Sequence, residues 1–372
     1  MNNTPLGAAV VGTGFGLFTH VRALRLAGFE VRAIVGRDLE KTRARAAPLS
    51  IPRVSNDLPA LLADDPAIAL VTVATPPHAH AAPVLQALAA GRHVVSEKPF
   101  ARDLAQARDM VAAAQKAGVV ALLGAEFRYD SAQALLARVV KSGAIGDPLL
   151  FHRIYQQPGD QTAPLADWWI DADQGGGFLG AFGTHMIDQV RATVGAITSV
   201  SAILRKLATG RPAMTSDDYY NVQMRCANGC AVVIEAAMCL PGPFTMGTRV
   251  AGTRGAAWIQ SGAAFGEPEQ VWVQDADGAR MVPMPAELAN PAPEPFPVAD
   301  LIQSEMDRWH TQGFDVAPYA KLFAQARARI LGLPDPLPDP PADFADAAAG
   351  QAVLDAARAS AAAGQWIQVE AA

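Results

Sequence analysis

The stretch Gly7-Ala8-Ala9-Val10-Val11-Gly12-Thr13-Gly14-Phe15-Gly16 decides the fold, because an apolar run typical of a buried strand leads directly into a glycine-rich turn. Gly12 permits a tight turn, and Gly14 lets an anion approach the backbone where the next helix begins. Leu17 stands where the usual pattern has its third glycine, so the match is incomplete. Because the turn follows an N-terminal strand and precedes further strand–helix alternation, it predicts a dinucleotide site that includes Gly12, Gly14, Phe15 and Gly16.

The first third of the chain alternates continuous apolar runs with amphipathic segments. Such runs indicate strands buried on both faces, and the alternation indicates a parallel sheet covered by helices. The predicted strands are residues 7–11, 31–35, 69–74, 94–95 and 119–123, and the predicted helices are residues 15–27, 39–46, 80–90 and 104–117. We therefore predict an α/β N-terminal domain with a doubly wound parallel sheet, the Rossmann arrangement.

After about Gly124 the pattern changes to longer segments that indicate antiparallel strands, with Asn228-Gly229 and Asp277-Gly278 as turn signals. The predicted strands are residues 151–155, 199–204, 220–225, 231–237, 249–251 and 271–274, and the predicted helices are 300–312, 319–331 and 342–363. Proline-rich runs at 283–297 and 334–341 are expected to be extended connections or loops bordering the active site. The predicted domains are residues 1–124 and 125–372.

Length and composition narrow the class of protein. A chain of 372 residues, 51% of them hydrophobic, is long enough for two cores. The formal net charge of −6 argues against a nucleic-acid partner, because nothing neutralises a phosphate backbone. No apolar run is long enough to span a bilayer, and the N-terminus lacks the features of a signal peptide, so we expect a cytoplasmic protein with no membrane partner.

The cysteine pattern does not indicate a metal site. Cys226, Cys230 and Cys239 have no further thiol or imidazole ligands at zinc spacing. We expect small buried thiols and no bound metal.

Glu97-Lys98-Pro99 follows a short apolar run that resembles the end of a buried strand. The carboxyl ends of strands are where open α/β sheets bind their ligands. A lysine there donates a hydrogen bond, or a proton when burial lowers its pKa, and the proline fixes the chain direction after it. The glycine turn and this element together indicate a cofactor with a proton donor beside it.

The end of the second predicted strand, Val35-Gly36-Arg37-Asp38, bears on the choice of cofactor. Sites specific for NAD usually place an acidic residue there to hold the ribose 2′-hydroxyl, whereas an arginine suits the 2′-phosphate of NADP. Gly36 occupies the acidic position and Arg37 follows it, which favours NADP. The alternative is a solvated Arg37 with Asp38 as the ribose ligand of NAD.

With these residues taken together, the chain resembles the glucose–fructose oxidoreductase / inositol dehydrogenase / MocA family. The resemblance covers nearly the whole chain, through residues 12–16 with His20, 74–80, 90–99, 175–188 and 344–346 with Ser360 and Trp366. It implies a Rossmann domain followed by an α+β domain with an open antiparallel sheet, which binds substrate and forms the interface of a homo-oligomer. It also implies nicotinamide-dependent chemistry on sugars, polyols or related hydroxy and keto compounds.

The resemblance assigns roles residue by residue. Lys98 resembles the family's catalytic lysine, and His185 resembles the histidine that meets the substrate hydroxyl or carbonyl; the alternative for His185 is a capping or core histidine. Glu97 resembles a cofactor-side contact. The loop expected to pack along the cofactor contains Thr75, Pro76 and His78. His20 and His80 also match family positions, and we interpret both as packing or polar support.

One position departs from the family pattern. Many family dehydrogenases have an aspartate four residues before this histidine, where a helix places both side chains on one face. This chain has Ala181 there. Asp188 lies three residues after His185. In one interpretation it replaces the missing aspartate as the partner of His185, and in the other it bonds backbone or solvent. The missing carboxylate makes Lys98 the stronger candidate for the principal proton donor.

Aromatic and charged residues around these motifs are expected to bind the substrate. Adjacent tryptophans suit the apolar face of a sugar ring, although they suit core packing equally well. Arg128 follows the fifth predicted strand and suits either a substrate carboxylate or the cofactor. The predicted substrate-binding residues are Arg128, Tyr129, Trp168, Trp169, Phe182 and Asp188.

The leading hypothesis is an NADP(H)-dependent oxidoreductase, with NAD as the alternative cofactor, that interconverts a carbonyl and a secondary alcohol on a small sugar-like, polyol or cyclic substrate. Lys98 and His185 would handle the proton of the reacting oxygen. A second hypothesis is a redox-neutral reaction on glycosides with a tightly held cofactor. A third is a non-catalytic sensor or co-repressor that binds NADP as a ligand, which Ala181 motivates.

Overall fold

The computed structural model describes residues 5–162, 165–262, 267–296 and 305–372. Contacts divide the chain into two compact units, residues 1–126 with 291–348 and residues 127–290 with 349–372. The first boundary lies two residues beyond the predicted one. Residues 291–348, which the sequence prediction placed in the second domain, belong to the first unit because a helix among them packs on the first helix of the chain.

The first unit contains a six-stranded sheet in which every pair of neighbours is parallel. Its strands are β1 (Leu6–Val11), β2 (Phe29–Val35), β3 (Arg53–Ser55), β4 (Ile68–Val73), β5 (His93–Ser96) and β6 (Ala121–Leu123). Their order is β3-β2-β1-β4-β5-β6, with the switch point between β1 and β4. This is the order of the doubly wound dinucleotide-binding fold, so the predicted fold class is confirmed. The short β3 was not predicted.

Helices connect these strands. They are α1 (Val21–Leu26), α2 (Leu39–Ala46), α3 (Leu58–Asp64), α4 (Ala81–Ala89) and α5 (Leu104–Ala117). Asp38, Asp57 and Asp103 cap α2, α3 and α5, each by accepting a hydrogen bond from the backbone N–H three residues later. The helix predicted from residue 15 begins instead with a π-helical turn, Gly16–His20, and continues as α1.

The second unit contains a nine-stranded sheet. Its strands up to residue 290 are β7 (Pro148–Gln157), β8 (Ile197–Arg205), β9 (Tyr219–Cys226), β10 (Ala231–Met238), β11 (Thr245–Gly252), β12 (Ala256–Gln260), β13 (Gln270–Asp275) and β14 (Gly278–Met281). Neighbouring strands are antiparallel except β7 and β10, which pair in parallel. The predicted open antiparallel sheet is therefore confirmed in outline, and it is more accurately a mixed sheet.

One face of this sheet is buried. Along β9, Tyr220, Val222 and Met224 are buried while Gln223 and Arg225 are exposed, which is the two-residue period of a half-covered strand. The helices of this region are α6 (Ser131–Lys141), α7 (Asp167–Ile170) and α8 (Thr184–Val194). Apolar side chains of α6 and α8 join the inward residues of the strands in one core. All three cysteines are buried thiols.

The C-terminal part contributes to both units. It contains α9 (Glu305–His310), α10 (Val316–Ile330), α11 (Phe344–Ala363) and β15 (Ile367–Gln368). α10 packs on α1, and β15 pairs with β8 at the edge of the nine-stranded sheet. The helix predicted at 300–312 falls partly outside the described residues, whereas α10 and α11 match the other two predictions closely. Within the described ranges, no helix is both long and apolar enough to cross a membrane.

Candidate active site

The glycine turn after β1 packs closely against the end of β4. Gly12 has a φ of +119°, which favours glycine, and a side chain there would collide with the carbonyl of Ala74. At Gly16 an added Cβ would lie 2.8 Å from Val10 Cγ1. At Gly14, by contrast, nothing lies within 4 Å of the Cβ position. Two glycines thus serve the turn itself and one borders open space, which is the arrangement that a backbone-bound pyrophosphate needs.

Strand register brings the glycine turn and the Glu-Lys-Pro element to the same edge of the sheet. Val11, Val73 and Ser96 are aligned across β1, β4 and β5. Gly12 follows the first of these residues and Glu97 follows the last. Two strand spacings of about 4.8 Å separate them by about 10 Å. The Glu97 N–H donates to the Val73 carbonyl at 2.8 Å, which extends the sheet pairing up to the lysine.

The carboxylate of Glu97 is used inside the protein. Glu97 is 4% exposed; its Oε1 accepts hydrogen bonds from His20 Nε2 at 3.0 Å and from the Tyr319 hydroxyl, and its Oε2 accepts from the Lys98 N–H at 3.3 Å. Gly124 makes room for this cluster, because an added Cβ would collide with Glu97 Oε1. Glu97 is therefore engaged inside the protein next to Lys98, and its cofactor-side contact stays a prediction.

The pKa values of the two buried glutamates of this cluster, Glu97 and Glu126, are shifted in opposite directions. Burial alone would raise the pKa of Glu97, but the hydrogen bond and charge of His20, the charge of Lys98 and the hydrogen bond from Tyr319 outweigh it and lower the pKa. Burial raises the pKa of Glu126 well above its ordinary value; the charge of Lys98 opposes this rise and that of Glu97 adds to it. Burial and the nearby carboxylates also raise the pKa of Tyr319. The surroundings thus favour ionisation of Glu97 and oppose that of Glu126.

Phe15 packs among aromatic rings next to this cluster. Its ring centroid lies 4.6 Å from that of His310 and 5.4 Å from those of His20 and Tyr319, all in edge-to-face geometry. His310 also faces Asp315 at 3.3 Å. The half-buried Phe15 therefore has a packing role. Its contact with the cofactor stays a prediction.

The predicted cofactor loop follows β4. Thr75, Pro76 and Lys98 are half-buried and His78 is exposed. The ring Nε2 of the buried His80 bonds the Thr75 carbonyl at 2.6 Å, and burial lowers the pKa of His80, so a neutral ring supports the loop. The Thr75 hydroxyl is buried, and among the described residues it has no hydrogen-bond partner. An unsatisfied hydroxyl beside the glycine turn suits a cofactor contact.

The end of β2 leaves no room for an acidic side chain at Gly36. An added Cβ would collide with the Thr42 hydroxyl and lie 2.8 Å from Thr13 Cγ2. Arg37 is exposed. Asp38, the alternative ribose ligand, already caps α2 by accepting from the Lys41 N–H at 3.0 Å.

His185 is the second residue of α8 and is 5% exposed. Its ring stacks on Phe127 with centroids 4.1 Å apart and 16° between the planes, and Phe182 lies 6.1 Å away. A π-helical turn, Leu179–Gly183, precedes α8, and the Leu179 N–H donates to Asp217 Oδ2 at 2.8 Å. Stacking and this anchored turn fix the position of the imidazole.

Asp188 does not replace the carboxylate missing at Ala181. Its Oδ1 and Oδ2 accept hydrogen bonds from Arg128 Nη2 and Nε, both at 2.7 Å. Such a bidentate pair is strong and directional, so the structure pairs Asp188 with Arg128 and not with His185. Both residues were predicted to bind substrate, and each is engaged with the other at 11% and 9% side-chain exposure.

The predicted aromatic residues are all buried or half-buried. Tyr155 lies 4.4 Å from Phe182 between ring centroids, and burial raises the pKa of Tyr155 to about 12. Trp169 packs against the core of this unit, as in its alternative interpretation. Trp168 is half-buried, with its ring 5.6 Å from that of Trp169. Tyr129 is 3% exposed, and its substrate contact stays a prediction.

Three residues of the site were missed by sequence reasoning: Glu126, Phe127 and Tyr319. Glu126 had a signal, because it lies three residues after the end of β6, close to a strand end as Glu97 is directly after β5. Phe127 and Tyr319 have no local motif, and Tyr319 is 222 positions from Glu97. In the ranges that the structure describes, no three His, Cys, Asp or Glu side chains are grouped as metal ligands.

Comparison with known protein families matches two successive stretches of the chain. Residues 6–125 match the family described as "Oxidoreductase family, NAD-binding Rossmann fold". Residues 134–258 match the "GFO/IDH/MocA C-terminal domain".

Individual relatives include sugar dehydrogenases. A levoglucosan dehydrogenase of Pseudarthrobacter phenanthrenivorans is 32% identical over 195 residues, 46% of this chain and 50% of that protein. A D-apiose dehydrogenase of Paraburkholderia graminis is 28% identical over 235 residues, 62% of this chain and 60% of that protein. The chain thus spans about half to three fifths of the length of these relatives. A solved levoglucosan dehydrogenase in complex with NADH and L-sorbose matches with a TM-score of 0.80 and 25% identity, over 99% of this chain and 100% of that one.

Proposed function

Because the chain belongs to the GFO/IDH/MocA family of oxidoreductases, with its NAD-binding Rossmann domain, we propose that it is an NADP(H)-dependent oxidoreductase. It would interconvert a carbonyl and a secondary alcohol on a small sugar-like, polyol or cyclic substrate. The observation that carries the proposal is the half-buried Lys98, supported by the buried Glu97 at the strand edge where the glycine turn lies.

The chain's own residues handle the proton. A bound nicotinamide cofactor would supply or accept the hydride. In the reducing direction Lys98 donates a proton to the substrate oxygen as negative charge develops on it, and in the oxidising direction Lys98 accepts that proton. Although burial opposes it, His20, Lys98 and Tyr319 lower the pKa of Glu97, and the Glu97 carboxyl group accepts a hydrogen bond from the Lys98 N–H.

His185 is proposed to hydrogen-bond the same substrate oxygen. Ala181 supplies no carboxylate to it, and Asp188 is bound to Arg128. Because the aspartate found in many family dehydrogenases is replaced by Ala181, Lys98 is the principal proton donor in this proposal.

The end of β2 supports NADP(H) over NAD(H). Gly36 cannot be replaced by an acid without a clash, Asp38 is engaged as a helix cap, and Arg37 offers an exposed cation for a 2′-phosphate. We expect Arg37→Ala to weaken NADPH binding about tenfold and to leave NADH binding nearly unchanged, measured by fluorescence titration. Arg43→Ala, at another exposed arginine of α2, is the control. Equal affinity of the unmodified protein for NADPH and NADH would contradict the assignment.

The names of the relatives support a sugar as substrate, since one is a levoglucosan dehydrogenase and another a D-apiose dehydrogenase. We expect turnover of cyclic sugars or their keto forms, with the half-buried Trp168 against the apolar face of the ring. A panel of such sugars with NADPH or NADP, monitored by nicotinamide absorbance, tests the reaction. Lys98→Met should reduce kcat/KM at least about a hundredfold, while Lys116→Ala, at an exposed lysine of α5, should not. Activity of Lys98→Met within a few-fold of the unmodified enzyme would refute the role of Lys98.

The outward face of the nine-stranded sheet is proposed to bind a second copy of the chain. Leu150 and Ile203 on this face are 41% and 57% exposed, and Trp258 stacks with Trp272 at 6.2 Å between centroids. Exposed apolar groups on one sheet face are typical of an interface. Ile203→Lys should lower the mass measured by light scattering relative to the unmodified protein; a monomeric unmodified protein would contradict the proposal.

A further inference from the structure

A buried arginine bonds a glutamine that lies one turn along α8 from His185. Arg153 on β7 is 1% exposed, and Gln189 on α8 is 4% exposed. Arg153 Nη1 donates a hydrogen bond to Gln189 Oε1. The negative charges of Glu269 and Asp130 face the guanidinium group, which offsets the cost of burying a cation. Arg153 is thus a fixed donor to Gln189, and it takes no hydrogen bond in return because a guanidinium has no acceptor.

The bond from Arg153 decides which way the Gln189 amide points. Because Oε1 faces a group that can only donate, Nε2 points away from Arg153, and it donates to the Phe127 carbonyl at 3.4 Å. That carbonyl also accepts from the Asp130 N–H at 3.3 Å. A side chain between a guanidinium and a carbonyl needs one acceptor and one donor, which glutamine supplies and an ionised glutamate does not. The hydrogen bonds therefore run in one direction, from Arg153 through Gln189 to Phe127.

Phe127 connects these hydrogen bonds to His185. Its ring stacks on the imidazole with centroids 4.1 Å apart and 16° between the planes. His185 and Gln189 are four positions apart on α8 and so lie on the same face of the helix. Phe127 spans the two positions, with its carbonyl on Gln189 and its ring on His185. An edge-to-face contact with Phe182, at 5.8 Å between centroids, limits the tilt of the Phe127 ring further.

We infer that Arg153 and Gln189 are positioning residues for His185. Arg153 orients the Gln189 amide, and that amide holds Phe127 in its stack on the imidazole, so that the imidazole keeps a fixed plane. The inference rests on the proposed hydrogen bond between His185 and the substrate oxygen. A group that stabilises a transition state loses much of its effect when it is displaced, about a hundredfold for a shift of 1 Å. Arg153 and Gln189 act through Phe127 and His185, and neither is a catalytic residue.

Nuclear magnetic resonance tests the stack without reference to activity. The full chain is labelled with 13C-histidine, the His185 signal is assigned by its loss in His185→Gln, and Phe127→Leu gives its position without the ring current of Phe127. Gln189→Glu keeps a partner for Arg153 but removes the donor to the Phe127 carbonyl, so it should move the His185 signal toward its position in Phe127→Leu.

The control is Gln115→Glu, at an exposed glutamine of α5, which should leave the His185 signal unmoved. Should Gln189→Glu fail to fold, the double variant Arg153→Met with Gln189→Met removes both polar partners together and is expected to move the signal in the same direction. An unmoved His185 signal in the folded variant would overturn the inference.

Steady-state kinetics of carbonyl reduction supply the functional readout. Gln189→Glu should lower kcat about tenfold and leave KM within about twofold, because the transition state loses a positioned donor. In a His185→Ala background the same change should have almost no further effect, since Gln189 acts through His185. Equal losses in both backgrounds would overturn the inference, because Gln189 would then serve the fold and not His185. Turnover of His185→Ala within a few-fold of the unmodified enzyme would instead refute the proposed role of His185, and the histidine signal would still decide whether Gln189 holds the stack.

Discussion

Replacing Asp217 by asparagine is expected to stabilise the second unit at neutral pH. The carboxyl of the half-buried Asp217 accepts a hydrogen bond from the Leu179 N–H at 2.8 Å, at the start of the π-helical turn before α8. Burial raises its pKa from 3.8 to about 6. An asparagine side chain cannot ionise, but its oxygen can still accept the hydrogen bond from the Leu179 N–H. The charge of Arg358 faces Asp217, and in the variant Arg358 still has an ion-pair partner, Asp355, at 3.9 Å.

The magnitude follows from the two pKa values. Because the pKa is higher in the folded protein, the folded state binds more protons than the unfolded state between pH 3.8 and about 6. The contribution of Asp217 to the free energy of unfolding therefore falls as pH rises through this window. Above about pH 6 this contribution no longer changes with pH. The difference of 6 − 3.8 = 2.2 units, at 1.36 kcal/mol per unit, gives about 3 kcal/mol. We expect Asp217→Asn to gain about that much relative to the unmodified protein between pH 4 and pH 7.

Urea unfolding followed by tryptophan fluorescence provides the measurement. Five of the six tryptophans, at 168, 169, 258, 272 and 366, belong to the unit that contains Asp217, so their emission reports mainly on that unit. Asp173→Asn, at an exposed carboxylate of the same unit, is the control and should follow the unmodified protein across the pH range. If the Asp217→Asn curve also runs parallel to the unmodified protein from pH 4 to pH 7, the buried-carboxyl reasoning is wrong.

Three further outcomes are expected. Gly12→Ala should abolish NADPH binding in calorimetry while circular dichroism stays unchanged, because the φ of +119° disfavours a side chain; binding within threefold of the unmodified protein would contradict this. Ser360→Ala should lower the free energy of urea unfolding by about 1–3 kcal/mol, because the buried hydroxyl accepts from the Ala202 N–H and donates to the Gln365 carbonyl at 2.6 Å; Ser360→Thr is the comparison variant, and no loss in Ser360→Ala would contradict the reasoning. Trp168→Ala should raise the KM for a cyclic sugar about tenfold and more than Trp168→Phe does, because the flat apolar ring is lost; equal KM values for both variants would argue against a sugar contact.

Local patterns were sufficient for most of the first unit. Strands buried on both faces are continuous apolar runs, so β1, β2, β4 and β5 could be located from the sequence, and aspartate caps mark where α2 and α5 begin. β3 and α3 escaped prediction because they are short. In the second sheet, strands such as β9 have one buried face, and that alternation is the same for parallel and antiparallel neighbours. The parallel pairing of β7 with β10 therefore had no signature in the sequence.

The site was predictable only where function and local motif coincide. Lys98 and the glycine turn lie at strand ends, where the sequence pattern itself indicates ligand binding. The partners of Glu97 and Asp188 depend on side chains brought together by tertiary structure. Tyr319 comes from a helix near the end of the chain, and Arg128 is 60 positions before Asp188. No spacing rule connects residues that far apart.

The π-helical turns before α1 and α8 affect how this chain should be compared with others. A π turn contains one more residue than the α-helical turn it replaces, so residues on its two sides keep their packing although the count between them has grown by one. Deleting a single residue within 179–183 would therefore restore α-helical spacing and leave the segments on both sides packed as before. In a relative without the extra residue, positions before and after the turn correspond to those of this chain only when a one-residue gap is placed within the turn. The length of this turn must therefore be matched before residues around His185 are compared between relatives.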